Sequence, residues 1–331
     1  MTVNRRQFLK MAATGVGASM CSTQAQALQR DTRQLSPDAM GMLYDSTLCI
    51  GCKACMVACK QANGMPIEST DVNPAWDTPL ETSGKTLNVI KMYKEGMGEH
   101  KDQVDDGFAF VKRHCLHCVD PSCVSVCPVS AMTKDPVTGI VEHHKDRCIG
   151  CRYCVYSCPF GIPKYEYDQA FGQIQKCQFC AHLQAMGQIP ACCDVCPTGA
   201  SLFGRVDDLK AESARRLEKN PGDKHVFPRG KLGGDRPPHE GTIAQYQEHV
   251  YGLKELGGTQ IMYMSAIPFD KLGFPVNVPD FSYPSLAEGI QHTVYKWMLA
   301  PAILLGGLSY VVHRNIQKKD EEKNASERRE T

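Results

Sequence analysis

Seventeen of the chain's 18 cysteines fall within the 148 residues from Cys49 to Cys196, and only Cys21 lies outside that stretch. By spacing they form four groups of four with one left over. Cys49, Cys52, Cys55 and Cys59 read C-x2-C-x2-C-x3-C, and Cys148, Cys151, Cys154 and Cys158 repeat that spacing with Pro159 following. Cys115, Cys118, Cys123 and Cys127 read C-x2-C-x4-C-x3-C-P; Cys177, Cys180, Cys192 and Cys196 read C-x2-C-x11-C-x3-C-P. The block also repeats internally. Cys49-Ile50-Gly51-Cys52-Lys53-Ala54-Cys55 recurs as Cys148-Ile149-Gly150-Cys151-Arg152-Tyr153-Cys154, and Cys127-Pro128-Val129-Ser130-Ala131 recurs as Cys196-Pro197-Thr198-Gly199-Ala200.

This density suits a [4Fe-4S] cluster for a geometric reason. Three cysteines on one tight loop reach three corners of a cube, while loop amides face the inorganic sulfides and offset their negative charge. The fourth cysteine, next to a proline, reaches a partner cluster, as in bacterial two-cluster ferredoxins. Glycines such as Gly51 and Gly150 allow the backbone to come close. Structural zinc sites use two separated C-x2-C pairs rather than this spacing. Cysteines so few residues apart pair poorly as disulfides, and a redox-active C-x-x-C explains one pair only. The expectation is four [4Fe-4S] clusters, all with cysteine ligands. Ferredoxin logic assigns them as Cys49, Cys52, Cys55 with Cys196; Cys59 with Cys177, Cys180, Cys192; Cys115, Cys118, Cys123 with Cys158; and Cys127 with Cys148, Cys151, Cys154. Cys193 is spare and reads as a small buried residue. His114 and His117 beside one loop read as loop histidines, with tuning of a cluster through hydrogen bonds to sulfur as the sharper alternative. His292 and His313, flanking an apolar run, read as interfacial residues.

The two ends carry a different kind of information. Residues 1–27 join Arg5-Arg6 to a mild apolar run from Met11 to Met20 and to Ala25-Gln26-Ala27, the order of a twin-arginine export signal cleaved after Ala27. Cys21 leaves with that leader. From Trp297 to Val312 the chain has no charge, and counted from Val294 the run covers about 19 residues, enough for one membrane span. Tyr295 and Trp297 suit an interface. Arg314, Lys318, Lys319, Lys323, Arg328 and Arg329 follow the run, whereas Lys296 is alone in the 20 residues ending there. The positive-inside rule then puts the tail in the cytoplasm and the body outside, in agreement with the leader. A formal net charge of +1 gives no support to nucleic-acid binding.

The expected organisation is a signal peptide (1–27), a linker (28–40), a four-cluster domain (41–204) with an insertion (61–113), an extension (205–290), a transmembrane helix (294–312) and a cytoplasmic tail (313–331). The class is α+β, with two nested ferredoxin-like two-cluster modules, a C-terminal extension and a single C-terminal transmembrane helix. Strands are expected at 86–93 and 260–267, a hairpin turn at Asp135-Pro136-Val137-Thr138-Gly139, and a helix over 207–219 burying Leu209, Ala214 and Leu217.

Four ferredoxin-type groups in this order resemble the iron–sulfur electron-transfer subunits of formate dehydrogenase, dimethyl sulfoxide reductase, nitrate reductase and hydrogenase 2. The hydrogenase 2 type is matched best, through Gly41-Met42-Leu43-Tyr44-Asp45-Ser46-Thr47-Leu48-Cys49, His117-Cys118-Val119-Asp120-Pro121, Pro163-Lys164-Tyr165, Gly257-Gly258-Thr259-Gln260, Ile290-Gln291-His292-Thr293 and Tyr295-Lys296. The resemblance implies a periplasmic subunit that takes electrons from the small and large subunits of a nickel–iron hydrogenase and delivers them to a multi-span, quinone-reducing membrane subunit. No hydrogenase metal-ligand set, nucleotide loop or nucleophile constellation is seen, so an electron-transfer subunit is expected rather than an enzyme. The nearest alternative keeps the wire and replaces the donor with formate dehydrogenase or another molybdopterin enzyme. An assembly scaffold that binds metal without electron transfer is a more distant one.

Overall fold

Strand β1 (Met40–Asp45) is the apolar stretch that leads into the first cysteine loop, and it organises the fold because both of its faces are covered. Met42 and Tyr44 point into the core that holds the cysteines, whereas Leu43 points the other way, toward Leu202, Met262 and Leu209. That alternation is the two-residue period of a strand. The computed structural model describes residues 29–66, 79–168 and 170–327. The leader with Arg5, Arg6 and Cys21, part of the insertion (67–78), and Arg328 and Arg329 lie outside the described residues.

After β1 come helix α1 (Ala54–Ala62), strands β2 (Val89–Lys94), β3 (His100–Lys101) and β4 (Gly107–Arg113), helix α2 (Ser122–Ser125), strands β5 (Met132–Lys134) and β6 (Val141–His143), and helix α3 (Tyr153–Ser157). Strands β7 (Lys164–Tyr165) and β8 (Ile174–Gln175), helices α4 (Ala181–Gln184) and α5 (Ala191–Asp194), strand β9 (Ser201–Arg205) and helix α6 (Val206–Leu217) complete the cysteine block. The remainder supplies β10 (Lys224–Phe227), β11 (His239–Thr242), β12 (Ile261–Met264), α7 (Tyr283–Trp297) and α8 (Leu299–Glu327). The result is a mixed α/β architecture of small sheets with an apolar C-terminal helix.

The central sheet has the order β12-β1-β9. β9 runs antiparallel to β1, from Met40 opposite Arg205 to Tyr44 opposite Ser201, while β12 runs parallel to it, with Met42 opposite Ile261. The extension thus contributes a fully buried strand to the core. In the insertion, β2 and β4 pair antiparallel and β3 pairs parallel to β4. The strand expected at 86–93 begins at Val89 instead, because Ser83 and Thr86 close a small turn. β5 and β6 form the expected hairpin. Its turn is held by Asp135 Oδ1, which accepts from the backbone N–H groups of Val137 (3.0 Å) and Thr138 (2.6 Å), as an Asx turn does.

Helix α6 departs from its expected face. Ala214 is exposed, and the buried side chains are Val206, Leu209, Glu212, Ser213 and Arg216. Arg216 is buried because it reaches Asp45 on β1 (3.0 Å) and Glu212 one turn back (2.9 Å). Tyr246 also donates to Asp45, at 2.6 Å. A buried guanidinium persists where carboxylates meet it, and removal of one partner would leave an uncompensated charge. Asp207 and Asp208 in the first turn and Arg215 and Arg216 in the last complement the helix dipole.

At the C-terminus, Arg30 pairs with Glu288 on α7 (2.6 Å) and Gln29 donates to Ser285 (2.8 Å). Along α8, Leu299 (69%), Ile303 (65%) and Leu305 (63%) are exposed. Among the described residues one helical stretch, Tyr283–Glu321, is long and apolar enough to cross a membrane. Pro301 falls in the first turn of α8, where a missing N–H breaks no helical bond.

Candidate metal centres

The first C-x-x-C of each of the four groups makes the same backbone turn. The residue just before the second cysteine is left-handed in every case: Gly51 (φ +69°), His117 (φ +48°), Gly150 (φ +70°) and Phe179 (φ +51°). At Gly51 a side chain would also collide with the Phe110 ring, whose nearest atom would lie 2.7 Å from a Cβ. His117 and Phe179 adopt this conformation without that freedom, at about 1–2 kcal/mol each. Their surroundings hold them: both are buried, their rings are 5.3 Å apart, and the Val141 N–H donates to His117 Nδ1 at 3.0 Å. Lys53 and Arg152, also left-handed, start α1 and α3 and so swing Cys55 and Cys154 inward. The cysteines before prolines share a second turn, with positive φ at Ser130, Gly161 and Gly199.

These turns bring together cysteines that are far apart in the chain. Cys49, Cys52, Cys55 and Cys196 line one cavity, with Tyr44, Ile90 and Pro197 among its other walls. Cys59, Cys177, Cys180 and Cys192 line a second, with His114 and Asn88. Cys127, Cys148, Cys151 and Cys154 line a third, with His143 and Ile174. Each of the three is thus walled by four cysteines drawn from two separate stretches of the chain. In the remaining set, burial pushes the Cys118 thiol well up, and the closeness of Cys158, Cys115 and Cys123 adds to it. The sets also lie within electrostatic reach of one another in a row. Cys55 of the first feels Cys192 of the second, Cys177 of the second feels Cys115 of the third, and Cys123 of the third feels Cys154 of the fourth.

The chemistry of the donors fits sulfur-bridged iron. Backbone amides already point at sulfur: Ala131 N–H to Cys127 Sγ at 3.2 Å, Met132 N–H to the same atom at 3.5 Å, and Phe179 N–H to Cys177 Sγ at 3.4 Å. Asn63 Nδ2 donates to Cys59 Sγ at 3.6 Å. Burial pushes the thiols of Cys55 and Cys59 up to about 12 and that of Cys154 up to about 11, so as free thiols they are held protonated. A metal that displaces those protons removes the penalty. Cys192 differs: its bond with Cys193 in the first place, against the cost of burial, and then Lys112 bring it down to about 5. Cys193 itself is fully buried on α5.

Three lysines, two buried and one half-buried, escape a reading of spacing. Lys112, Lys134 and Lys176 lie among the sets, two of them almost without exposure. Burial lowers the Lys134 ammonium to about 8, whereas for Lys112 the thiols of Cys192, Cys55 and Cys193 outweigh burial and raise it. The available sign was Lys112 following the apolar run Phe108-Ala109-Phe110-Val111. His114 and His117 are neutral, because burial drives both well down, His114 to about 3. Among the described residues the Nε2 of each has no hydrogen-bond partner, nor has that of His143.

Residues 107–206 match the 4Fe-4S dicluster domain family. The hydrogenase-2 operon protein HybA of Escherichia coli O157:H7 is 42% identical over 318 residues, covering 95% of this chain and 96% of that protein. Protein NrfC of E. coli K12 is 35% identical over 67% of this chain and 88% of its own. The iron-sulfur subunit of the nitrate-inducible formate dehydrogenase of the same strain is 32% identical over 67% of this chain and 66% of its own. The latter two cover two thirds of the chain, whereas the match to HybA takes in nearly all of it, beyond the cysteine block at both ends. With the dicluster domain at its centre and that similarity along its whole length, the chain belongs to the HybA family of iron–sulfur electron-transfer subunits.

Proposed function

We propose that this subunit carries electrons from the small and large subunits of a nickel–iron hydrogenase to a multi-span, quinone-reducing membrane subunit, through four [4Fe-4S] clusters. Each cluster, when bound, supplies a one-electron redox centre. The ligand sets are Cys49, Cys52, Cys55, Cys196; Cys59, Cys177, Cys180, Cys192; Cys115, Cys118, Cys123, Cys158; and Cys127, Cys148, Cys151, Cys154. The observation that carries this reading is the row of four cysteine sets, each within electrostatic reach of the next. Helix packing supports two nested modules: α1, bearing Cys55 and Cys59, packs on α5, which bears Cys192, and α2, bearing Cys123, packs on α3, which bears Cys154. The protein's own groups set the environment. The cysteines anchor, the left-handed turns aim amides at sulfur, and the buried side chains exclude water.

In this reading residues 41–204 are the cluster domain with its insertion at 61–113, residues 205–290 its extension, and residues 28–40 a linker behind the leader. The body faces the periplasm, the helix at 294–312 spans the inner membrane, and residues 313–331 are cytoplasmic. Replacing Arg5-Arg6 by Lys-Lys should then hold the protein in the cytoplasm, as fractionation would detect; unchanged export would refute a twin-arginine leader.

Donor identity is tested by purifying the complex in mild detergent, identifying the copurifying subunits and comparing hydrogen with formate as donor to quinone. Nickel–iron subunits and hydrogen-driven quinone reduction are expected. A molybdopterin subunit and formate-driven reduction would favour the second reading, which rests on the 32% identity to a formate dehydrogenase subunit. The longer and higher match to HybA favours the first.

A further inference from the structure

Lys112 is fully buried in β4, yet its ammonium meets little oxygen. It donates to Ser201 Oγ at 3.2 Å and approaches Met42 Sδ at 3.9 Å, and among the described residues no carboxylate pairs with it. The other two lysines among the sets, Lys176 buried and Lys134 half-buried, are satisfied by oxygen. Lys134 Nζ donates to the carbonyls of Cys118 (2.9 Å) and Gly139 (2.6 Å) and to Gln260 Oε1 (3.1 Å). Lys176 Nζ donates to the carbonyls of Val141 and Cys177. An ammonium has three N–H donors and a full charge, and burying that charge without an anion is unfavourable.

What surrounds Lys112 is sulfur. Ser201, to which its ammonium donates, lines the cavity of the first set, and His114, two residues further along the chain, lines that of the second, so Lys112 sits where the two sets adjoin and its charge acts on Cys55 and Cys192. We propose that Lys112 is the shared counter-ion of the first and second cysteine sets, a fixed positive charge that raises the reduction potentials of both clusters held there. The proposal rests on the reading that those sets hold [4Fe-4S] clusters. Each one-electron reduction adds one negative charge to a cysteine-ligated cluster. A fixed cation a few ångströms away in a low-dielectric interior favours that added charge with no proton transfer. Because it faces both sets, the same charge also weakens the mutual repulsion of two reduced neighbours. The third and fourth sets, further along the row, should feel it far less.

The test is a potentiometric titration of the full-length, cluster-loaded protein followed by electron paramagnetic resonance, with iron per chain measured in parallel. It compares the wild type with Lys112→Met, Lys112→Gln and Lys112→Arg. In the two neutral variants the reduction constants of two clusters should fall by about tenfold or more, which is about 59 mV for a one-electron couple. The other two should stay put, and Lys112→Arg should retain the wild-type values. If Met and Gln prevent loading of two clusters while Arg permits it, the requirement for charge is also upheld. Unchanged potentials in a fully loaded neutral variant, an equal shift of all four, or loss of the same clusters in all three variants would overturn the proposal. A wild-type protein without four clusters would instead defeat the underlying reading, and iron content separates the two failures.

Discussion

Cys196→Ala should abolish the same electron paramagnetic resonance signal as Cys52→Ala, and iron should fall from about sixteen to about twelve atoms per chain in either variant. The pairing is not the one suggested by order along the chain, where Cys196 follows Cys192. It arises because Cys196 lines the cavity of Cys49, Cys52 and Cys55, while Cys192 lines that of Cys59, Cys177 and Cys180. Cys55 and Cys59 sit one turn apart on α1 and Cys192 and Cys196 are likewise four residues apart, so each short segment lines two cavities. Cys59→Ala and Cys180→Ala should form a second matching pair. Should Cys196→Ala remove the signal that Cys180→Ala removes, the nested assignment would be wrong.

Deleting residues 294–331 should leave iron content unchanged and release the protein from the membrane fraction. Hydrogen-driven quinone reduction should fall to background while reduction of a soluble dye continues. The warrant is the exposed apolar surface of α8, where Leu299, Ile303, Leu304 and Leu305 are all largely uncovered. Each such side chain gains about 1.5–3 kcal/mol on leaving water, and a helix of this length brings many of them together. The cysteine sets all lie between Cys49 and Cys196, within the compact unit from Thr32 to Pro284, so the deletion removes none of their supports. Retained quinone reduction in the truncated protein would show that the helix does not couple the wire to the membrane.

The cysteine groups and the β5–β6 hairpin were legible in the sequence because they depend on local spacing: a ligand triplet on one loop, an Asp at the head of a turn. The family was legible for a similar reason, through short motifs beside the cysteines. Features built by distant contacts were not. The parallel pairing of β12 with β1 joins residues more than two hundred positions apart, and nothing in Ile261–Met264 announces its partner. Helix α6 shows how periodicity misleads. An apolar count favoured Ala214, but Arg216 takes the buried position because Asp45 and Glu212 wait there, and ion pairs have no hydrophobic period. His117 and Phe179 hide the turn that Gly51 and Gly150 advertise, since tertiary packing rather than a missing Cβ stabilises the left-handed backbone. Lys112 was illegible as a site residue because its meaning depends on what lies on both sides of β4.

The most direct test of the wire itself is iron and acid-labile sulfide per chain, with electron paramagnetic resonance of the dithionite-reduced protein after anaerobic purification. About sixteen iron and sixteen sulfide atoms are expected, with the broad, interacting spectrum of reduced clusters lying close together in a row. Zinc in place of iron, or iron for two clusters only, would contradict four [4Fe-4S] centres and the electron path built on them.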